Sequence, residues 1–166
     1  MRAPIAKDDL LFHFVHGLCR VAQVFPADRK AELSYSLLPV AVSQAKVRFL
    51  IPQSSMEESG FGKLITAREA RDILDFFKTG TKKDSQCNQA WMQASLIRSE
   101  ARSREPIKDA RKRQRLEHSV RGLAGAMALV LKVSPSRALG QIRKNLGAVA
   151  RINPLVLTVL ENSDTE

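Results

Sequence analysis

Side chains that could neutralise phosphate groups are concentrated in one half of this 166-residue chain. Residues 81–151 contain 16 Lys and Arg against 5 Asp and Glu, whereas residues 1–80 contain 11 against 9. Guanidinium and ammonium groups bind a polyanion by displacing its counterions. Charge confined to one half of a protein also produces a directional field that attracts a polyanion. The candidate phosphate contacts are Arg98, Arg102, Arg111, Arg113, Arg115, Arg137, Lys144 and Arg151.

The residue types needed for catalysis are present, but they do not combine into a site. His13, His16 and His118 have no carboxylate or thiol at ligand spacing beside them, so we predict no metal site. Gly60 and Gly62 are not followed by the Lys-Ser or Lys-Thr pair of a phosphate-binding loop. Because no set of nucleophile, base and carboxylate can be assembled, we expect a binding protein without enzymatic activity or cofactor.

The composition also indicates the compartment. Cys19 and Cys87 lack paired spacing, so we expect reduced thiols. The sequence has no run of about 18–20 apolar residues that could span a bilayer. Asp8 and Asp9 stand where a signal peptide would need apolar residues. These features predict a cytoplasmic protein.

The basic half is predicted to be helical. An apolar residue recurs every three or four positions within 107–132 and again within 135–151, as expected for amphipathic helices. A further helix leads from Trp91 toward Pro106, which breaks it. The apolar stripes are Leu116, Val120, Leu123, Met127 and Val130 in the first pattern, and Leu139, Ile142, Leu146 and Val149 in the second.

The last of these helices has a defined start and a cationic face. The Ser134 hydroxyl can cap it, and Pro135 suits a first turn that needs no N–H donor. Arg137, Lys144 and Arg151 are seven residues apart, so they would form a row about 20 Å long. Such a row suits a phosphate backbone, although a basic helix face can also be a solvated surface that keeps a protein soluble.

The first half carries the pattern of short strands. Apolar and polar residues alternate within 12–24, 33–38 and 46–51, and polar turns separate these segments. Strands without helices between them favour an antiparallel curled sheet or a small barrel. Together with the helical half, this predicts an α+β protein.

A helix is expected to follow the strands and to close the first domain. Thr66 and Glu69 have the spacing of a capping box, and Gly80 suits the residue that ends the helix. The segment after it is polar and reads as a linker. We therefore predict two domains, 1–80 and 81–166, the second of which ends in an acidic disordered tail.

Four short motifs resemble those of the N-terminal module of the CarD/CdnL transcription regulators, and they occur in the same order and at nearly the same spacing. That module is shared with the polymerase-interacting domain of the transcription-repair coupling factor. Trp91 just after the linker and Val120-Arg121-Gly122-Leu123 resemble the helical C-terminal domain of the same family. The family tends to carry a basic side chain where this chain has Leu50, with Arg48 two positions earlier. The four motifs are His16-Gly17-Leu18-Cys19-Arg20-Val21, Tyr35-Ser36-Leu37, Phe49-Leu50-Ile51-Pro52 and Gly62-Lys63-Leu64-Ile65.

The resemblance implies a Tudor-like β barrel that docks on the β subunit of bacterial RNA polymerase through a strand edge. It also implies a helical domain that contacts promoter DNA at the upstream edge of the melted region. Such a protein would be a nucleoid-associated monomer that stabilises the open complex without reading sequence. In the family, a tryptophan at the position of Trp91 wedges against the minor groove. The implied polymerase contacts are Arg29, Lys46, Arg48 and Leu50.

Alternatives remain open for these expectations. Trp91 can instead be a core anchor, because tryptophan is highly buried on average. Residues 1–11 can cover the strand edge. The chain can also be a basic RNA- or ribosome-binding protein that acts without polymerase, or a helical adaptor whose charge is incidental.

Overall fold

Five strands are followed by five helices in the described part of the chain, so the α+β prediction is confirmed. The chain divides into two compact units. We call Met1–Leu64 the sheet unit and Ile65–Glu166 the helical unit. The coordinates are a computed structural model, which describes residues 4–13, 15–41, 46–82, 89–148 and 151–164.

The sheet unit is one antiparallel sheet. Its spatial strand order, numbered along the chain, is β4-β3-β2-β1-β5. The two edge strands, β4 and β5, do not pair with each other, so the sheet is open and the Tudor-like barrel is not confirmed. The strands are β1 (Leu10–His13), β2 (Gly17–Phe25), β3 (Ser34–Pro39), β4 (Phe49–Pro52) and β5 (Gly62–Lys63).

One face of this sheet forms the core of the sheet unit. Successive side chains of a strand point to opposite faces, so cross-strand partners are buried together. Leu11 pairs with Cys19, and Val21 pairs with Leu37, and all four side chains are fully buried. Phe61 packs in the same cluster from the segment that leads into β5.

The helical unit is built around one central helix. The helices are α1 (Ala67–Thr79), α2 (Gln89–Arg102), α3 (Ala110–Leu131), α4 (Pro135–Gly147) and α5 (Pro154–Asn162). α3 contacts each of the other four helices. Most of its predicted apolar stripe is buried, from Leu116 to Met127. Leu139, Ile142 and Leu146 of α4 are buried as predicted, and Val149 lies outside the described residues.

The predicted helix ends of α1 and α4 are confirmed. The Thr66 hydroxyl accepts a hydrogen bond from the Glu69 N–H (3.2 Å), and the Glu69 carboxylate accepts one from the Thr66 N–H (2.8 Å). Gly80 ends α1 in the left-handed conformation, with φ of 74°. The Ser134 hydroxyl accepts from the Arg137 N–H (3.2 Å), at the start of α4.

The boundary between the units falls after Leu64, and not near residue 81 as predicted. α1 belongs with the other helices, because its Phe76 ring meets the Trp91 ring edge-on, with 5.6 Å between the ring centroids. Ile73 and Phe77 of α1 are fully buried. The change in charge along the sequence marks where basic residues begin, whereas the boundary depends on which apolar faces pack together.

The predicted disordered tail is partly helical. Glu161 and Asn162 form the end of α5, and Glu161 pairs with Arg143 of α4 at 3.3 Å. α5 stays in place because its apolar residues Val156 and Val159 are buried. Its start is fixed by Asn153, described below.

Asn153 connects the start of α5 to the end of α2. Its side-chain N–H groups donate to the carbonyls of Ser103 (3.0 Å) and Glu105 (3.2 Å). Its side-chain oxygen accepts from the Leu155 N–H (3.0 Å), and its own N–H donates to the Ala101 carbonyl (2.9 Å). The residue is only 7% exposed, so these bonds satisfy a buried amide.

Candidate protein-docking and nucleic-acid interfaces

β4 presents an exposed strand edge. It pairs with β3, through Tyr35 with Ile51 and Leu37 with Phe49, and the described strands leave its other side without a partner strand. Edge N–H and C=O groups can accept a strand from another protein. Leu50 projects from β4 with 65% of its surface exposed, the most among the large hydrophobic residues that the structure describes.

The segment that could have covered this edge pairs elsewhere. Leu10 to His13 form β1, which lies between β2 and β5. The Asp8 N–H donates to the Val21 carbonyl of β2 at 2.8 Å. The described part of residues 1–11 therefore does not cover β4 as a paired strand.

The loop that carries Arg29 is ordered by an aspartate. One oxygen of Asp28 accepts the N–H groups of Lys30 (2.7 Å) and Ala31 (2.9 Å). These two backbone hydrogen bonds lower the pKa of the Asp28 carboxyl. Arg29 is exposed within this turn.

The same loop is tied to the end of β4. The Glu32 carboxylate accepts from the Ser54 N–H (3.1 Å) and the Ser54 hydroxyl (2.8 Å). The Gln53 N–H donates to the Leu33 carbonyl (2.8 Å). Arg29 therefore lies toward the carboxyl end of β4.

The other two predicted polymerase contacts precede β4. Lys46 and Arg48 are exposed, but they lie outside the strand, which begins at Phe49 and not at Lys46 as predicted. Lys46 and Arg48 therefore do not share a face of the strand with Leu50 through the two-residue alternation of a strand. Lys46 and Arg48 are exposed in the segment that leads into β4, and Leu50 is exposed within β4. Arg29 is exposed in the loop that is tied to the end of β4.

Trp91 is a core residue of the helical unit. Its side chain is 1% exposed, against the Phe76 ring, and the Lys82 ammonium lies 6.0 Å from its ring centroid. Ala94 and Ile97, three and six residues further along α2, are fully buried on the same side. A wedge in DNA needs an exposed indole, so the prediction that Trp91 contacts DNA is wrong and the core-anchor alternative is observed.

Arg98 and Arg102 are partly buried in the helical unit. The Arg98 guanidinium lies 5.6 Å from the centroid of the Phe76 ring, where the positive charge is attracted to the ring face. It also packs on Gly80, where an added Cβ would lie 2.5 Å from Nη2. Arg98 thus fastens α2 to the end of α1, and its charge is not fully available to a ligand.

The first turns of α3 form an exposed basic surface. We define residues 110–115 as the α3 basic segment; all six are exposed, and Leu116 is the first buried residue. Arg111 and Arg115 make no ion pair with a carboxylate in the described part of the chain. Arg113 pairs with Glu117 at 3.2 Å.

Lys112 holds the same segment against α2. Its ammonium lies 3.0 Å from Glu100, whose carboxylate is buried at 7% exposure. A buried carboxylate needs such a partner, because burial without one is strongly unfavourable. Glu100 was not identified from the sequence, since an isolated glutamate in a helix gives no signal of burial.

The cationic row predicted for the next helix is shorter than expected. Arg137 and Lys144 are both exposed on α4, two turns apart, which corresponds to about 10 Å along the axis. Arg151 is exposed as well, but α4 ends at Gly147, so Arg151 does not continue the row. The predicted row of about 20 Å is therefore wrong.

The described residues were also compared with the requirements of a metal site, a reactive thiol and a membrane-spanning helix. Those residues contain no group of three His, Cys, Asp or Glu side chains that could hold a metal ion. Burial raises the pKa of the Cys19 thiol, which keeps it protonated, and Cys87 lies outside the described residues. None of the described helices has both the length and the apolar character that crossing a membrane requires.

No protein-family model matches the chain, and no curated protein matches it.

Proposed function

We propose that this protein is a transcription regulator that docks on the β subunit of RNA polymerase and contacts promoter DNA at the upstream edge of the bubble. The observation that carries the proposal is a division of surfaces between the units. The sheet unit, with 8 Lys and Arg against 6 Asp and Glu, offers a strand edge, whereas the helical unit has 19 against 11. The resemblance of the motifs to CarD/CdnL regulators supports polymerase as the partner.

The edge of β4 suits a strand from a partner protein. Backbone hydrogen bonds along an edge supply affinity, and side chains that flank it supply specificity. Leu50 offers an apolar contact, and Arg29 and Arg48 would favour acidic groups beside it. A partner strand with one apolar residue flanked by carboxylates fits this edge.

The surplus charge of the helical unit suits phosphates. Contacts of this kind hold DNA without reading its sequence. Each interface is weak on its own, but binding through one raises the effective concentration at the other. The protein would therefore prolong the lifetime of open complexes to which polymerase has already recruited it.

The test is a Leu50→Asp variant of the full chain, assayed for binding to RNA polymerase and for open-complex lifetime. We expect binding to fall by about tenfold or more, because a carboxylate replaces the central apolar contact and repels acidic neighbours. Leu129→Asp is the matched control, because Leu129 is 45% exposed and lies on α3 of the helical unit. It should bind polymerase normally.

The result that contradicts the proposal is a folded wild-type chain that does not bind polymerase. Binding to RNA or ribosomes in that experiment would favour the alternative of a basic RNA-binding protein. Equal effects of the two substitutions would mean that β4 is not the docking edge.

A further inference from the structure

We propose that the α3 basic segment enters the major groove of duplex DNA, an inference that rests on the proposed function. The segment would place arginines against the phosphates of both groove walls. This is a different mode of contact from a tryptophan wedge in the minor groove, which the burial of Trp91 contradicts.

The α3 basic segment extends beyond the core of the helical unit. Arg113 occupies the position three residues before Leu116 and seven before Val120, so it lies on the stripe that is buried further along α3. Leu116 and Val120 are fully buried, yet the Arg113 side chain is 47% exposed. The core therefore ends before this turn, and the six exposed residues give a projection of about 9 Å.

The arginines of the projection point to opposite sides of the helix. Arg111 and Arg115 are four residues apart and share one side. Arg113 is two residues from each, about 160° around the helix axis from either one, which places it opposite their common side. A helix with cations on two opposite sides matches a groove between two rows of phosphates, whereas a flat contact with one row would need cations on one side.

The dimensions favour the major groove. An α-helix with its side chains is about 10–12 Å across. The major groove of B-DNA is about 12 Å wide and admits a helix, whereas the minor groove is about 6 Å wide. The segment thus fits the major groove without deforming the duplex.

The charges of the segment are available, and its orientation is fixed. The segment contains no carboxylate, and the Arg113–Glu117 pair is exposed, so it is weak and can exchange for a phosphate. Lys112 is bound to the buried Glu100 and anchors the helix to α2. The Asp109 carboxylate accepts the Arg111 N–H at 2.9 Å, so side chains and not the first backbone N–H groups would hold the ligand.

The aromatic residues of the helical unit do not support insertion between bases. Phe76, Phe77 and Trp91 are its only Phe, Tyr or Trp residues, and all three are buried. Insertion into the minor groove usually uses an apolar wedge between base steps. The α3 basic segment contains no large apolar side chain, so its own contacts with DNA would be made by its cations.

The groove can be tested with the full chain and a duplex in two modified forms. In one form glucosyl groups on 5-hydroxymethylcytosine fill the major groove, and in the other netropsin occupies the minor groove. We expect glucosylation to weaken binding by about tenfold or more, since it removes access for the segment. Netropsin should leave the affinity unchanged.

The residues can be tested by the salt dependence of binding. For the Arg111→Gln/Arg115→Gln double variant, the slope of log K against log salt should be shallower by about 2, one unit for each phosphate contact. Arg71→Gln/Lys78→Gln is the matched control, because it removes the same charge from exposed positions of α1 that are not among the candidate phosphate contacts. Thermal melting should show that both variants are folded.

The outcomes separate this inference from the proposed function. Competition by netropsin together with normal binding to the glucosylated duplex would overturn major-groove entry and leave promoter contact standing. Equal slopes for the two double variants would overturn the role of the α3 basic segment alone. A folded wild-type chain that binds no duplex at low salt would refute both the inference and the DNA part of the proposed function.

Discussion

The sheet unit and the helical unit differ in how they use their cations. In the sheet unit the candidate contacts Arg29, Lys46 and Arg48 are exposed around the edge of β4. In the helical unit Arg98 packs on Phe76, and Lys112 binds a buried carboxylate. The difference shows that net charge overstates the number of cations that the helical unit could offer to a ligand, because part of its charge stabilises the fold.

The aromatic residues show the same contrast. In the sheet unit the rings of His16 and Phe49 lie 4.5 Å apart, and those of His13 and Phe61 lie 4.9 Å apart, beside the start of β4. They support the strand that carries the exposed edge. In the helical unit Phe76, Phe77 and Trp91 lie inside the core, so the candidate ligand contacts of that unit are its cationic side chains.

The sharpest way to break this comparison is Trp91→Ala. We expect it to lower the free energy of unfolding by about 3–5 kcal/mol, because it removes a buried indole and leaves a cavity. Met92→Ala is the control, since Met92 is 52% exposed, and it should change stability by less than about 0.5 kcal/mol. Urea denaturation followed by circular dichroism measures both. A Trp91→Ala protein of normal stability that fails to prolong open complexes would restore the wedge.

A smaller effect is expected where Arg98 fastens α1. Gly80→Ala should destabilise the protein by about 2 kcal/mol, because alanine is strained at φ of 74° and its Cβ displaces the Arg98 guanidinium. Gly140→Ala is expected to change the stability in the opposite direction. Gly140 lies within α4 with nothing near its added Cβ, so the substitution should stabilise by about 0.5–1 kcal/mol. A Gly80→Ala protein that gains stability in chemical denaturation, as Gly140→Ala should, would contradict this prediction.

The smallest effect is expected in the sheet unit, at Asp9. Its carboxylate accepts from the Ala6 N–H (2.9 Å) and lies 2.9 Å from the Lys63 ammonium, and these contacts lower its pKa. A lowered folded pKa means that the stabilisation is complete above the usual value of 3.8 and is lost as pH falls through the lower folded value. Asp9→Asn should therefore cost less than about 1 kcal/mol near neutral pH, since the pair is partly exposed.

Urea titrations of the wild type and Asp9→Asn at neutral pH and at a series of pH values below 3.8 check this prediction. The difference in stability between the two proteins should shrink as the pH falls through that series. A difference that stays the same throughout would show that Asp9 acts through something other than its charge.

The sequence predicted those features that depend on neighbours along the chain. The capping box at Thr66 and the end of α1 at Gly80 follow from local hydrogen bonds and backbone conformation, and both are observed. β3 and the stripe of α3 follow from alternation and helical periodicity. β5 was not predicted, because it contains only Gly62 and Lys63 and is too short to show an alternation of apolar and polar residues.

Features set by distant packing could not be predicted in this way. Trp91 and Arg98 carry no local signal that separates a core residue from a binding residue, and their burial depends on α1. The domain boundary was misplaced for the same reason. Of the predicted DNA contacts, the exposed Arg111 and Arg115 lie before the apolar stripe begins, and this position in the sequence is the signal that would have favoured them over Arg98.

The amide of Asn153 links the carboxyl-terminal helix to the direction of the basic surface. The two carbonyls that it holds belong to Ser103 and Glu105, in the connection that leads into α3. An aspartate at 153 would turn an acceptor toward both carbonyls and release that connection. Loosening of α5 would therefore misalign the proposed DNA-binding surface, to which α5 contributes no side chain.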